Sequence, residues 1–368
     1  TSYNVAVGTL AGSALTTGVE NTITGGLAGD ALTTGNYNIA IGHTALSTED
    51  TGSKSVAIGH QALLNQNYNG DAFNTAIGHN VGAALTSGIL NTLVGGLAGD
   101  ALNIGNSNVA IGHQALTTEV AGDRNVAIGL NALRLQTNAS STDVYNVAVG
   151  YEAGAAITTA VRNTLIGGLS GDAITTGSDN VVLGYNALGG ANGGESRNVA
   201  IGNSALLVMD FNGTNNNVAV GYEAGKAVST GVNNTIIGTE CGDALTTGDN
   251  NIIIGYNAAA SAVGVDNEIT LGDANISAFR CADQSIAALS DGRDKTDIKN
   301  SSYGLEFINT IRPVEFTWNF RPENMAEAKQ GKKRVGFIAQ ELQEAMPNSE
   351  NEILDLVYNV SDERIEAK

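Results

Sequence analysis

The sequence predicts a mostly β fold: a parallel β-solenoid of about sixteen coils, followed by a small α+β domain. A five-residue phrase, Asn-Val-Ala-Ile-Gly or a close variant, recurs sixteen times between Asn4 and Gly272. Eleven of the fifteen intervals between its closing glycines are 17 residues long. After Gly272 the repeat stops, and all three prolines and the only tryptophan of the chain follow it. A fixed period with one short strand per unit is typical of a solenoid, whose units bury apolar surface against their neighbours.

Each repeat reads as a strand, a corner, a short second segment and a polar turn. In Val109-Ala110-Ile111 two β-branched residues flank a small one, and this alternation predicts a strand. The glycine that follows permits a corner. The second segment, such as residues 113–116, fits either a strand or one helical turn, and the sequence does not decide between them. Parallel strands stack about 4.8 Å apart, so sixteen coils predict a shaft roughly 75 Å long.

The two faces of the predicted strand differ in side-chain size. The Val and Ile positions suit the core of a single chain, whereas the middle position is mostly Ala, as at Ala40 and Ala110. A recurrent small residue indicates close packing, and one 17-residue coil has little core of its own. We therefore expect the Ala-bearing faces of three chains to pack together in a homotrimer.

A second period spans four coils. Gly8, Gly78, Gly150 and Gly221 are 70, 72 and 71 residues apart. The second coil of each four-coil unit has a larger residue at the strand centre, such as Leu93, and we expect the glycine after the strand glycine, such as Gly96, to compensate for it.

An aspartate recurs in the same second coils and has two interpretations. Its positions are Asp30, Asp100, Asp172 and Asp243. Turn or cap chemistry is the interpretation we favour, because no second carboxylate recurs beside these residues. The alternative is a ladder of calcium sites, which would need about six oxygen ligands each.

Longer intervals end at Gly78, Gly150 and Gly221, and we expect the inserted residues to bulge outward at one edge of the shaft. Their aromatic side chains lie among amides and carboxylates, a combination that suits carbohydrate. The candidate receptor-binding residues are Tyr68, Phe73, Tyr145 and Phe211. Loops are also polar without binding anything, which is the alternative for these segments.

The composition excludes several classes of partner. The net charge is −19, so no basic surface is available for nucleic acid. No apolar stretch reaches the length of a membrane span, so no membrane insertion is expected. The two cysteines, Cys241 and Cys281, exclude a disulfide framework.

No cofactor and no metal site is predicted. Four histidines, His43, His60, His79 and His113, directly follow strand glycines, and the first three should form a ladder along consecutive coils. Tyrosine takes the same position further along the chain. This favours a corner that accepts amphipathic rings over a metal ladder, which would need converging ligands.

The carboxy-terminal part has a different pattern. Residues 313–320 alternate as a strand, and residues 338–346 have helical spacing that stops at Pro347. Four motifs occur in order: Ser-Asp-Gly-Arg-Asp-Lys from Ser290, Gly-Leu-Glu-Phe-Ile from Gly304, Arg-Pro-Val-Glu-Phe-Thr-Trp from Arg312, and Val-Gly-Phe-Ile-Ala-Gln-Glu from Val335. Together they resemble the endosialidase-type intramolecular chaperone domain, which closes many phage tail spikes and tail fibres. The shaft is more loosely similar to the β-roll head of trimeric autotransporter adhesins.

The resemblance implies a domain that guides trimerisation and is then released by self-cleavage. The nucleophile would be Ser290, the base Lys295 and the cut between Leu289 and Ser290, a single-turnover serine peptidase rather than a metabolic enzyme. The expected domains are a shaft and receptor-binding region at 1–272, a linker at 273–289 and the chaperone domain at 290–368.

The function that follows is adhesive and structural. We expect the distal tail fibre of a phage, made in the host cytoplasm and located in the virion. Its partners would be other tail proteins and a polysaccharide or protein receptor on the host cell surface. The alternatives are a tail spike that degrades surface polysaccharide, which needs a carboxylate pair in a groove, and a bacterial trimeric adhesin.

Overall fold

A computed structural model of the chain describes residues 2–277, 305–317, 333–345, 357–361 and 364–367. The chain divides into two compact units, residues 1–273 and 274–368. The first unit is the repeat region and the second contains the carboxy-terminal motifs, and each is described by itself.

The first unit confirms the predicted solenoid of sixteen coils. Sixteen three-residue strands form one sheet in which consecutive strands are parallel and in register. We number the coils 1 to 16 by these strands, which are β1 (Val5–Val7), β2 (Thr22–Thr24), β3 (Ile39–Ile41), β4 (Val56–Ile58), β5 (Thr75–Ile77), β6 (Thr92–Val94), β7 (Val109–Ile111), β9 (Val126–Ile128), β11 (Val147–Val149), β12 (Thr164–Ile166), β13 (Val181–Leu183), β14 (Val199–Ile201), β15 (Val218–Val220), β16 (Thr235–Ile237), β17 (Ile252–Ile254) and β18 (Ile269–Leu271). Two shorter strands, β8 (Gly122–Asp123) and β10 (Thr142–Asp143), form a separate parallel pair.

The assignment of the two strand faces from the sequence was wrong. The central residue of the strand, such as Ala57 or Ala110, is fully buried inside the chain, whereas the flanking Val and Ile side chains point outward. The small residue does indicate close packing, but the partner is the opposite wall of the same coil, where Ala115 and Leu116 are also fully buried. In this coil the small Ala110 on the strand thus goes with the larger Leu116 opposite.

The second segment is neither a strand nor a helix. In each coil it is a run of turns, with residues of positive φ such as Gln114 and Leu116, at 56° and 55°. Its backbone groups bond to the adjacent coil: Leu116 N–H donates to Ala132 O at 3.0 Å. Hydrogen bonding between coils therefore continues around the turns without regular secondary structure.

The compensation for large strand residues also differs from the prediction. At Gly96 an added Cβ would meet only His113 Cδ2 at 3.5 Å, an ordinary contact. At Gly99 it would lie 3.0 Å from Leu93 Cδ2, so Gly99 is the position that leaves room for the larger strand side chain. Ile236 in coil 14 has the same relation to Gly242, at 2.9 Å. This explains why coil 14 tolerates Thr239 at the position of Gly96.

A ladder of buried asparagines, which we call the asparagine ladder, joins the coils. Each is the first residue of the repeated phrase, and most are fully buried. The amide of Asn91 is representative: Oδ1 accepts the Asn108 N–H at 2.9 Å, and Nδ2 donates to Gly105 O at 2.9 Å. One side chain thus hydrogen-bonds to two backbone groups of the next coil, Gly105 O before the turn and the Asn108 N–H after it. The ladder includes Asn21, Asn38, Asn74, Asn91, Asn108, Asn125, Asn146, Asn163, Asn180, Asn198, Asn217, Asn234 and Asn251.

The described part of the second unit has two short helices and four strands. They are α1 (Leu305–Thr310), β19 (Val314–Thr317), β20 (Lys333–Gly336), α2 (Ala339–Ala345), β21 (Val357–Ser361) and β22 (Arg364–Ala367). β19 pairs with β20 and β21 with β22, both antiparallel. β19 and α2 lie where the sequence predicted a strand and a helix, and Arg312 binds the Glu341 carboxylate through two nitrogens. None of the helices in the described residues has the length and apolarity to cross a membrane.

Candidate functional site

Three insertions interrupt the regular shaft at equivalent places. They span residues 65–73, 135–145 and 208–216, and each ends directly before an asparagine of the ladder. Near its end each insertion bonds in parallel to the preceding coil, through Ser53 and Asp71, through β8 and β10, and through Ser196 and Thr214. The insertions therefore leave the shaft and rejoin it at the same point of the coil.

The predicted receptor residues lie on these insertions with different exposures. Phe73 is 50% exposed, Tyr145 48% and Phe211 41%. Tyr68 is less exposed than these three residues, because it is half-buried and its ring lies near Gly70. A Cβ added to Gly70 would be 3.2 Å from Tyr68 Cε1. Three of the four rings thus present substantial surface to a ligand.

A cation, a carboxylate and a ring are combined at the first two insertions. Lys54 Nζ lies 2.6 Å from Asp71 Oδ2 and 5.0 Å from the centre of the Phe73 ring. One four-coil unit later Arg124 pairs with Asp143 and lies 5.6 Å from the Tyr145 ring centre. Tyr145 also donates its hydroxyl to Asp143 Oδ2 at 3.0 Å.

The third insertion lacks this combination. The equivalent residues there are Arg197, Thr214 and Asn216, with neither an acid nor a ring. The first two insertions are therefore the better matched pair of candidate contact points.

Buried glutamates hold the insertions, and the sequence reasoning missed them. Glu49 is fully buried. Its Oε1 accepts the Gly52 N–H at 2.7 Å, and its Oε2 accepts from Gln66 Nε2 at 3.1 Å and from the Tyr68 N–H at 3.2 Å. The amide oxygen of Gln66 in turn accepts from Asn74 Nδ2 at 2.9 Å. An interior carboxylate thus fixes the start of the first insertion to the asparagine ladder.

Glu119 has the same role at the second insertion. Its Oε1 accepts backbone N–H groups of Gly122 at 2.8 Å and Asn138 at 3.0 Å, among others. Its Oε2 accepts from Gln136 Nε2 at 2.7 Å. The signal in the sequence is a Glu followed 17 residues later by a Gln, which occurs at 49 and 66 and again at 119 and 136.

The third insertion also has a buried glutamate, but at a different position of the coil. The backbone O of Glu195 accepts from Asn180 Nδ2, as Gly52 O accepts from Asn38 Nδ2. Glu195 is fully buried and its Oε2 accepts the Gly193 N–H at 3.0 Å, but Oε1 has no hydrogen-bond partner among the described residues. Met209 takes the place of Gln66 and Gln136, with its sulfur 3.7 Å from Asn217 Nδ2. Burial, followed by the charge of Asp210, raises the pKa of Glu195.

Replacing Met209 by glutamine is expected to stabilise the shaft at neutral pH. Met209 lies beside ladder residue Asn217 as Gln66 lies beside Asn74, so we expect the new Nε2 to donate to Glu195. A hydrogen bond to a charged group contributes about 1.5–3 kcal/mol. Because the folded pKa of Glu195 is raised, its contribution to stability is fully present below the ordinary value of 4.5 and is lost as the pH rises through the folded pKa. The gain of Met209→Gln in thermal midpoint should therefore be larger at pH 7 than at pH 4. Equal gains at both values would mean that the carboxylate is not involved.

The predicted histidine ladder is present. The rings of His43 and His60 are stacked with centroids 5.6 Å apart, and those of His60 and His79 are 5.0 Å apart. Among the described residues no three His, Cys, Asp or Glu side chains converge to hold a metal ion.

At the recurrent aspartates, Asp100 accepts a hydrogen bond from the Thr117 hydroxyl, whereas Asp30 and Asp172 each have a buried Oδ1 without a partner in the described structure.

The predicted self-cleavage residues lie outside the described residues. This applies to Leu289, Ser290 and Lys295, so their geometry adds nothing to the sequence argument.

Comparison with known proteins identifies the carboxy-terminal segment. Residues 290–349 match the model of the family described as chaperone of endosialidase. Searches of curated proteins and of solved structures return no match to the chain. A sixteen-coil β-solenoid together with this segment fits a protein of the phage tail-fibre or tail-spike type.

Proposed function

We propose that this chain is the distal part of a phage tail fibre that attaches to the host cell surface, and that its carboxy-terminal chaperone domain drives assembly. The observation that supports attachment most directly is the pair of matched clusters on the first two insertions. Each exposes an aromatic ring beside a cation and an aspartate. Repetition along a stiff shaft allows several weak contacts with one surface to act together.

The attachment proposal is tested by cell binding. Fluorescently labelled wild-type protein is first incubated with a panel of bacterial strains to find those that bind it. Binding of each variant is then measured on these strains. Phe73→Ala combined with Tyr145→Ala should reduce binding at least tenfold, and Tyr68→Ala or Phe211→Ala should reduce it less. Tyr37→Ala is the control, because Tyr37 is 51% exposed but lies outside the insertions. Unchanged binding by the Phe73 and Tyr145 variant would remove these residues from the site.

A polysaccharide-degrading spike is less well supported. The interior acids Glu49, Glu119 and Glu195 are fully buried, so they cannot reach a glycosidic bond. Release of reducing sugars from polysaccharide of the bound strain would favour the spike.

The shaft is proposed to be a homotrimer, with a different interface from that expected from the sequence. The outward side chains of most strands are apolar; Val181 and Leu183, for example, are 43% and 44% exposed. They continue from coil to coil along the sixteen-stranded sheet, and a contiguous exposed apolar surface is typical of a protein interface. Three such surfaces facing one another would cover it.

The trimer has a matched test. Ile111 and Ile104 are 37% and 38% exposed, but only Ile111 lies on the sheet surface. Ile111→Asp should shift the sedimentation of the full chain from trimer towards monomer, whereas Ile104→Asp should not, because only the first places carboxylates in the interface. A wild-type monomer at micromolar concentration would contradict the proposal.

Self-cleavage before Ser290 is proposed from the same family match. We expect denaturing gels to separate two fragments of the wild type and one full-length band of Ser290→Ala, because the hydroxyl is the nucleophile. Lys295→Met should also remain uncut, since it removes the base. A single full-length band in the wild type as well would contradict cleavage without affecting the attachment proposal.

A further inference from the structure

Four tyrosines, which we call the tyrosine column, run along the carboxy-terminal half of the shaft. Each directly follows a strand glycine. Tyr151, Tyr185, Tyr222 and Tyr256 are 51%, 57%, 48% and 65% exposed. They belong to coils 9, 11, 13 and 15, so neighbouring rings are two coils apart, roughly 10 Å by the spacing of parallel strands.

The coils between the tyrosines leave the rings uncovered. The corresponding residues are Gly168, Asn203 and Thr239. At Gly168 an added Cβ would lie 3.6 Å from Tyr185 Cδ2 and 4.0 Å from its Cε2, so the Tyr185 ring extends over the glycine of the preceding coil. The histidine ladder is different, because His43, His60 and His79 occupy successive coils and stack on one another. The tyrosines, spaced two coils apart, keep their surfaces free of one another.

A polar side chain accompanies every ring. The residues that follow the tyrosines are Glu152, Asn186, Glu223 and Asn257, each with a positive φ between 51° and 55°. Interaction with Glu152 raises the pKa of the Tyr151 phenol, and interaction with Glu223 raises that of the Tyr222 phenol. Each station therefore combines an aromatic ring with a polar side chain at the next residue.

The charge around the column is acidic. Burial and, to a smaller extent, the charge of Glu152 raise the pKa of Asp172, and Lys226 is paired with Glu223. Such a surface repels anionic chains. A ligand here should carry no negative charge, should offer C–H faces to the rings and hydroxyls to the polar side chains, and should repeat at the two-coil spacing.

We propose that the tyrosine column binds a linear, uncharged polysaccharide in an extended conformation, with one disaccharide for each pair of coils. An extended sugar chain whose residues alternate in orientation presents the same face at every second residue, which matches rings at every second coil. The inference rests on the proposed attachment function and gives that function a ligand class. It also places a ligand on residues that are not part of the insertions.

The inference is tested by calorimetric titration of the full chain with N-acetylchitohexaose and cellohexaose, two extended probes. Maltohexaose, which curls, and oligosialic acid, which is anionic, are the controls. At least one extended hexasaccharide should bind, at least tenfold more tightly than its disaccharide because several stations act together. Tyr185→Ala and Tyr222→Ala should each weaken binding about fivefold, the effect expected for loss of one ring contact. Tyr37→Ala, which removes an equally exposed ring outside the column, should leave affinity unchanged.

Three results would overturn the inference. They are the absence of binding by both extended probes, tighter binding of oligosialic acid than of either, or affinities unaffected by the tyrosine substitutions. Sedimentation of Tyr185→Ala adds a fourth such result, because dissociation of the oligomer would make the column a subunit contact instead. If cells still bind the Tyr185 and Tyr222 variants but not the Phe73 and Tyr145 variant, attachment stands and the column is not its site.

Discussion

Replacing Gly95 by alanine is expected to lower the thermal midpoint of the shaft by about 10 °C. Gly95 directly follows β6 and has φ at +133°, a conformation that other residues rarely adopt. An added Cβ would lie 2.5 Å from Gly112 O and 2.7 Å from Gly112 C, and both atoms belong to the backbone of the next coil. Strain and displacement together should destabilise the fold by about 4 kcal/mol, near the upper end for single substitutions.

The neighbouring glycine provides the control for this prediction. Gly96 has no positive φ, and its added Cβ would make only an ordinary contact with the His113 ring. Gly96→Ala should therefore change the midpoint by no more than a degree or two, and the two variants differ by a single methyl group one residue apart. Both are measured at the same protomer concentration, because assembly affects the midpoint. Similar losses for the two variants would mean that the stacking of strand glycines is not what limits the coil spacing.

The strand glycines also mark what the sequence could predict about the fold. Their regular recurrence fixed the number of coils and the position of each strand, since a glycine with this φ is needed wherever the chain leaves the sheet. The turns between strands could not be predicted in the same way. Leu116 and Leu133 adopt φ values of 55° and 49° although isolated leucines avoid them, because these side chains fill the interior and adjacent coils bond to their backbone.

The direction of the strand faces is a second case where local pattern was insufficient. A three-residue strand such as Val109-Ala110-Ile111 alternates equally well with either face inward. Larger residues are usually interior, but the space between the walls of a thin coil decides otherwise. The candidate site was likewise predicted only in part. The aromatic residues of the insertions could be identified from the sequence, whereas the sequence did not distinguish the buried Glu49 and Glu119 from ordinary polar turn residues.

Substitution of Asn108 by alanine is the second prediction with a large effect. Asn108 is fully buried, and its Oδ1 accepts the Asn125 N–H at 2.9 Å while its Nδ2 donates to Gly122 O at 2.9 Å. Alanine would leave the backbone N–H of Asn125 and the backbone O of Gly122 without these partners in a buried place. Each such loss costs about 1–3 kcal/mol. The expected destabilisation is roughly 3–5 kcal/mol, concentrated between coils 7 and 8.

Hydrogen exchange distinguishes this mechanism from a general loss of packing. In Asn108→Ala the amide of Asn125 should lose protection more than that of Asn163, which is bonded to Asn146 at the same place in a coil further along the shaft. Asn203→Ala is the control, because Asn203 is exposed and lies outside the ladder. Asn108→Asp is a second variant with a side chain of nearly the same shape. It keeps the acceptor for Asn125, loses the donor to Gly122 and adds a buried charge. It should therefore be at least as destabilised as Asn108→Ala at pH 7 and should regain stability in acid, where the carboxylate is protonated. If the aspartate variant were as stable as the wild type at pH 7, the side-chain donor would be unimportant, and the ladder would act through its acceptors alone.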